Sequence, residues 1–170
     1  MKDVRRIGLL LVVVLSILIQ VSLLPALRPL GVVPSLLLPV VVLIGLEGTA
    51  SVALVAGVAG GLAVDLASAT NFGLWTGLLV LAALTAGLLR RAGFELNGPA
   101  VALVMVTGGT VLSTAVILLG LADTATSWPV GFIAGTFFWE LMLNLILTVA
   151  MRPVIRRLVE NPDIGAQAIG

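Results

Sequence analysis

The chain has no cysteine and no histidine, and charged side chains make up only 10% of its 170 residues. Without cysteine there are no disulfides and no thiolate nucleophile. Without histidine there is no imidazole acid/base chemistry and no histidine-held haem, and the two absences together remove Cys/His zinc sites. A net charge of +1 leaves no basic face able to neutralise several phosphates, which argues against nucleic acid as a partner. Soluble domains carry roughly a quarter of their residues as charges. A charged fraction this low beside 60% hydrophobic residues points to an integral membrane protein. At about 20 residues per span, a chain of this length holds at most seven or eight crossings and no separate soluble catalytic domain.

The first apolar run, Ile7 to Leu24, has 18 residues without a charge and follows Lys2, Arg5 and Arg6. It is longer than the about 7 to 15 residues of a secretory signal core, and it leads into Leu24-Pro25-Ala26-Leu27-Arg28-Pro29 instead of a small-x-small cleavage site. It reads as a retained helix. The next apolar stretch, Leu36 to Val64, is interrupted at Glu47-Gly48-Thr49 and is either one tilted helix or two.

Charge placement decides between them. With two helices there, spans fall at about 7–24, 32–46, 49–67, 72–89, 98–121 and 129–151. Both termini are then cytoplasmic, and eight of the nine basic residues face the cytoplasm, leaving Arg28 outside. A single merged helix would put three basic residues inside and six outside, against the positive-inside rule. The expected fold is therefore an all-α integral membrane protein: one compact bundle of six transmembrane helices over 1–158, with a cytoplasmic tail at 159–170. Trp75 and Trp128 fall at the outer face, where indole rings anchor at headgroup level. Span two is the short one, since its uninterrupted part from Leu36 to Leu46 covers about 17 Å at 1.5 Å per residue. It must begin near Gly31 or be partly re-entrant.

Small residues form stripes. Ala53, Gly57, Gly61 and Asp65 recur every fourth residue in span three, so a second backbone can approach there. Gly73, Gly77, Ala83 and Gly87 continue the theme in span four, and the two spans are expected to pack as a hairpin. Gly131 and Gly135 form a second pair at this spacing in span six. Plain helix packing is the simpler reading of these glycines, and a partner or ligand groove is the functional one.

Two acids stand out. Asp65, near the C-terminal end of span three, needs a partner: either Arg28, the one basic side chain expected on the outer face, or a local cap involving Ser68, Thr70 or backbone amides. Glu140 lies eleven residues beyond Pro129, about 17 Å deep. With Thr136, Asn144 and Thr148 it makes a polar stripe that faces Thr107, Thr110, Ser113 and Thr114 of span five, predicting a polar seam. Ion or proton coupling through Glu140 would require a chain of acids, and no second mid-membrane carboxylate accompanies it.

Pro34-Ser35-Leu36-Leu37-Leu38, Gly57, Gly61-Leu62, Asp65-Leu66, Ser68 and Phe72-Gly73-Leu74 resemble the central pattern of the MreD family, the rod-shape-determining membrane protein D. Met151-Arg152-Pro153-Val154-Ile155-Arg156-Arg157-Leu158 is similar to the family's end. The resemblance covers roughly 34–91 and 151–158, and Ser35 stands where Asp or Asn is more usual. It implies a non-enzymatic, multi-pass protein of the bacterial cytoplasmic (inner) membrane. Such a protein binds MreC and helps couple MreB filaments to RodA and a class B penicillin-binding protein, and so to peptidoglycan synthesis and cell shape. No cofactor and no metal are expected.

The MreD family is also similar in fold to the substrate-binding components of energy-coupling-factor vitamin transporters. The alternative reading is therefore a small-molecule binder lined by Asp65, Arg28 and Trp75. The absence of any alanine from Ile7 to Leu24, where those components carry an AxxxA docking pattern, disfavours it.

Overall fold

The computed structural model of the chain describes residues 2–23, 35–68, 72–93, 98–121 and 130–159. Among the described residues there are helices and short turns and no strand. In chain order they are α1 (Lys2–Leu18), which closes in a wider π-type turn at Ile19–Leu23, α2 (Leu37–Glu47), α3 (Ala50–Ser68), α4 (Leu74–Arg91), α5 (Gly98–Leu121) and α6 (Val130–Val159). Helices α3, α4 and α6 contain apolar stretches long enough to cross a bilayer, at Ala50–Ala67, Leu74–Arg91 and Ile133–Val159. Among the described residues the apolar stretches of the other three are shorter: Ile7–Ser22, Leu37–Glu47 and Pro99–Ala115. Helices of this composition are the solution that hydrocarbon imposes, because every peptide group is satisfied within its own segment. The chain is a membrane protein.

α2 is the hub. Its 11 residues span about 16 Å, half a hydrocarbon core. All ten positions from Leu37 to Leu46 are buried. A helix apolar on every side belongs in the middle of a bundle, and α2 packs against α1, α3, α4, α5 and α6. Pro39 is tolerated because it falls in the first turn, whose N–H groups have no intrahelical acceptor. The periphery is also apolar: Leu10, Leu11 and Leu15 of α1 and Ile146 and Val149 of α6 are exposed, as suits a surface solvated by lipid.

Helix bounds differ from expectation at two places. Residues 35 and 36 are not helical and α2 starts at Leu37, later than the expected 32, while 32–34 lie outside the described residues. Span six was expected to end at 151 ahead of Pro153, yet α6 runs through the proline to Val159. Tertiary packing accounts for the extension. Ile155 is fully buried, Arg152 Nε donates to Glu47 Oε1 at 2.8 Å, and Leu158 and Val159 lie against Gly8 of α1 and Gly48 beyond α2. Burying one isoleucine returns about 1.5–3 kcal/mol, comparable to the roughly 3 kcal/mol that an interior proline costs.

Contacts also fix how the ends align. Gly8 meets Leu158, Gly48 meets Val159, Gly45 meets Ala86 and Gly87 meets Ala50. The start of α1, the end of α4, the α2–α3 link and the end of α6 therefore share one end of the bundle. That end carries Lys2, Arg5, Arg6, Arg90, Arg91, Arg152, Arg156 and Arg157.

Candidate functional site

The α3–α4 seam is built from the stripe of small residues. A Cβ on Gly57 would sit 3.0 Å from the Leu79 carbonyl oxygen, and one on Gly61 would run into the backbone of Thr76. At both places the neighbour is backbone and has no rotamer with which to give way, so the two helices touch main chain to main chain. Ala53, on the same stripe, is buried beside Gly45 of α2. Gly60, one residue off the stripe, lies against Leu37 of α2 at 3.1 Å. In α4 the small residues divide. Ala83, Ala86 and Gly87 are buried, whereas Gly73 is in the turn before the helix with φ 95° and Gly77 has open space around it. The theme expected to run through all four of Gly73, Gly77, Ala83 and Gly87 is thus confined to the second half of α4.

Asp65 ends this stripe. Its carboxylate accepts hydrogen bonds from the N–H groups of Gly73, Trp75 and Thr76, each at 3.0 Å, and from Thr76 Oγ1 at 2.6 Å. The acid at the C-terminal end of α3 is therefore the N-terminal cap of α4, whose positive dipole end it faces. Its neighbours come from the start of the next helix and the residue before it, eight to eleven residues on. The expected candidates Arg28 and Thr70 lie outside the described residues, and so does Trp128. Trp75 is half-buried and supplies one of the donated amides.

A second cap of the same kind closes α2. Asn144 of α6 is fully buried. Its Oδ1 accepts from Ser35 N at 2.9 Å and its Nδ2 donates to Thr110 Oγ1 at 2.9 Å. Gln20, placed by the π-type turn of α1, accepts from Leu36 N through Oε1 at 2.7 Å. Ser35 Oγ, one residue ahead of the Leu36 cap position, accepts from Leu38 N at 3.4 Å. α2 thus begins inside the bundle with its first amides held by α1, α6 and its own Ser35.

The polar seam between α5 and α6 is narrower than its sequence stripe. Thr107, Thr110, Ser113, Thr114 and Thr148 each donate to a carbonyl three or four residues back in their own helix, and the bond from Asn144 to Thr110 crosses between helices. Glu140, one turn from Asn144, is 8% exposed, and no hydrogen bond to it is found among the described residues. Gly135 faces the other way: it is exposed, with nothing within 4 Å of where a Cβ would stand. Gly131 is helical, and nothing more is described of it. Trp139 and Phe138 are exposed near Gly135, their rings edge to face at 5.9 Å. Sequence reasoning passed over Gln20, the Glu47–Arg152 pair and this exposed aromatic pair. A glutamine inside an apolar run was the one visible signal.

Among the described residues no three acidic side chains come together in a way that could hold a metal ion. No protein-family model, curated protein or solved structure matches the chain.

Proposed function

We propose that this protein is a six-span scaffold of the bacterial inner membrane, with both termini in the cytoplasm. It would serve the rod-type cell-elongation machinery as an MreD-like partner of a bitopic MreC-like protein, and through it of MreB, RodA and a class B penicillin-binding protein. One contrast between glycines supports it. Gly57 and Gly61 are used up in internal packing, whereas Gly135 opens outward beside Phe138 and Trp139 on a helix whose opposite side is locked into the core. A small-residue position on an outer helix face is where a neighbouring transmembrane helix approaches closely. Gln20, Asp65, Asn144 and the Glu47–Arg152 pair are engaged in holding one segment to another. Collecting the basic residues at one end supports the orientation.

The alternative of a vitamin-binding transport component loses one of its lining groups, because the Asp65 carboxylate is already committed to the first turn of α4.

Copurification tests the reading. Extraction in mild detergent should recover an MreC-like single-span protein with this chain, and Gly135→Leu should lower that recovery while leaving folding intact. Deletion in the host should turn rods into spheres or wide cells with nutrient uptake unchanged. Normal rods after deletion, or capture of an ATPase module with a vitamin, would refute it.

A further inference from the structure

Glu140 is the buried ionisable group that the packing of the bundle leaves unused. It is 8% exposed, on the face of α6 that also carries Asn144, Thr148 and Ile155, all of them buried. Asn144 and Thr148 are hydrogen-bonded, whereas no hydrogen bond or ion pair to Glu140 is found among the described residues. Every polar side-chain atom sealed from solvent among those residues has a partner, so the remaining exposure of Glu140 reaches its carboxyl oxygens.

The register of α5 and α6 shows what stands opposite. Gly109 of α5 meets Leu38 at the start of α2, and Thr110 is bonded to Asn144. α5 runs away from the basic end of the bundle and α6 runs towards it, so one turn back from Asn144 corresponds to one turn on from Thr110. Glu140 is therefore level with Ser113 and Thr114. Both hydroxyls donate their hydrogen to the Thr110 carbonyl, at 2.9 Å each. The side chains at this level thus offer oxygen lone pairs and no spare donor. Arg152, the nearest basic residue along α6, is about 18 Å away and paired with Glu47.

A buried carboxylate without a counter-charge is costly inside a membrane protein. Whatever neutralises Glu140 must be positive, singly charged to match one carboxylate, small enough to enter a closed bundle, and content with oxygen acceptors. A divalent ion takes more carboxylates than the one present. A basic side chain on a docking helix does not fit either, since the open Gly135 face lies about 140° around α6 from Glu140. We propose that Glu140, with Ser113 and Thr114 opposite it, is a binding site for a small monovalent cation, sodium or a primary ammonium. Binding in place needs no chain of acids, which transport would. The site is independent of the scaffold reading.

Thermal unfolding of the full chain in detergent tests it, at constant ionic strength made up with N-methyl-D-glucamine chloride. Replacing that bulky cation by sodium or methylammonium should raise the melting temperature by about 3–6 °C at ten times the Kd, and whichever does so names the ion. Glu140→Gln should unfold no earlier than the wild type in N-methyl-D-glucamine and should lose the response. Ser113→Ala should keep the fold and weaken the apparent affinity about tenfold. Glu47→Gln, which removes an acid at the other end of the bundle, should leave the response unchanged. If Glu140→Gln fails to fold, the wild type and Ser113→Ala still decide. Equal melting temperatures in all three salts, an undiminished shift in Glu140→Gln, or wild-type affinity in Ser113→Ala would each overturn the proposal.

Discussion

Replacing Asp65 separates two ways in which a buried acid can hold a membrane bundle together. Its carboxylate takes four hydrogen bonds, three of them from main-chain amides, those of Gly73 just before α4 and of Trp75 and Thr76 in its first turn. Hydrogen bonds between helices in membranes average about 0.6 kcal/mol, so four give about 2.4 kcal/mol. Bonds to charged groups reach about 1.5–3 kcal/mol each, which raises that figure. Asp65→Ala should therefore destabilise the protein by about 3–4 kcal/mol, because it strands amides that hydrocarbon cannot solvate. Asp65→Asn keeps a carbonyl acceptor and should lose about 1–2 kcal/mol. Unfolding in mixed micelles by titration with a denaturing detergent, followed by helical circular dichroism, measures both. A loss below about 0.5 kcal/mol for the alanine variant would refute the capping role. A different result would point to an ion pair: Asn as harmful as Ala, with an equal loss in Arg28→Ala, means that the charge and not the acceptor geometry matters.

Four further outcomes follow from the packing. Gly61→Leu should prevent normal α3–α4 assembly, with a loss above about 2 kcal/mol because the new side chain meets backbone, whereas Gly135→Leu should unfold at the wild-type detergent concentration. Asn144→Leu should cost about 2 kcal/mol by freeing Ser35 N and Thr110, and hydrogen exchange should show faster exchange at the first turn of α2. Glu47 and Arg152 are part-exposed, so a double-mutant cycle on that pair should give about 1 kcal/mol or less and shrink with salt. Because the chain has no native cysteine, Arg91→Cys labelled in intact cells reports topology directly. Modification by an impermeant reagent applied from the periplasm would invert the orientation proposed here.

Residues close in sequence were the ones whose surroundings could be read in advance. The fourfold spacing of Gly57 and Gly61 pointed to a close helix neighbour because helix periodicity is local, and the helix they meet follows after one short turn. Asp65 was harder. Its position at a helix end was visible, but the amides it caps belong to the next helix, and only the chain reversal between α3 and α4 brings them to it. Thr107, Ser113 and Thr114 were expected to form a seam, yet each satisfies itself on its own helix, an option that a hydroxyl always has in a membrane span.

Composition and charge spacing alone determined that this is a helical membrane protein whose apolar helices are separated by short polar breaks, because hydrocarbon admits helices and each helix writes its period into the sequence. The buried position of the short α2, the caps that Asn144 and Gln20 place on it, and the run of α6 through Pro153 were decided by tertiary structure. Asn144 reaches Ser35 across 109 positions of chain, and such a pairing depends on the relative rotation and depth of two helices, quantities that no local pattern encodes.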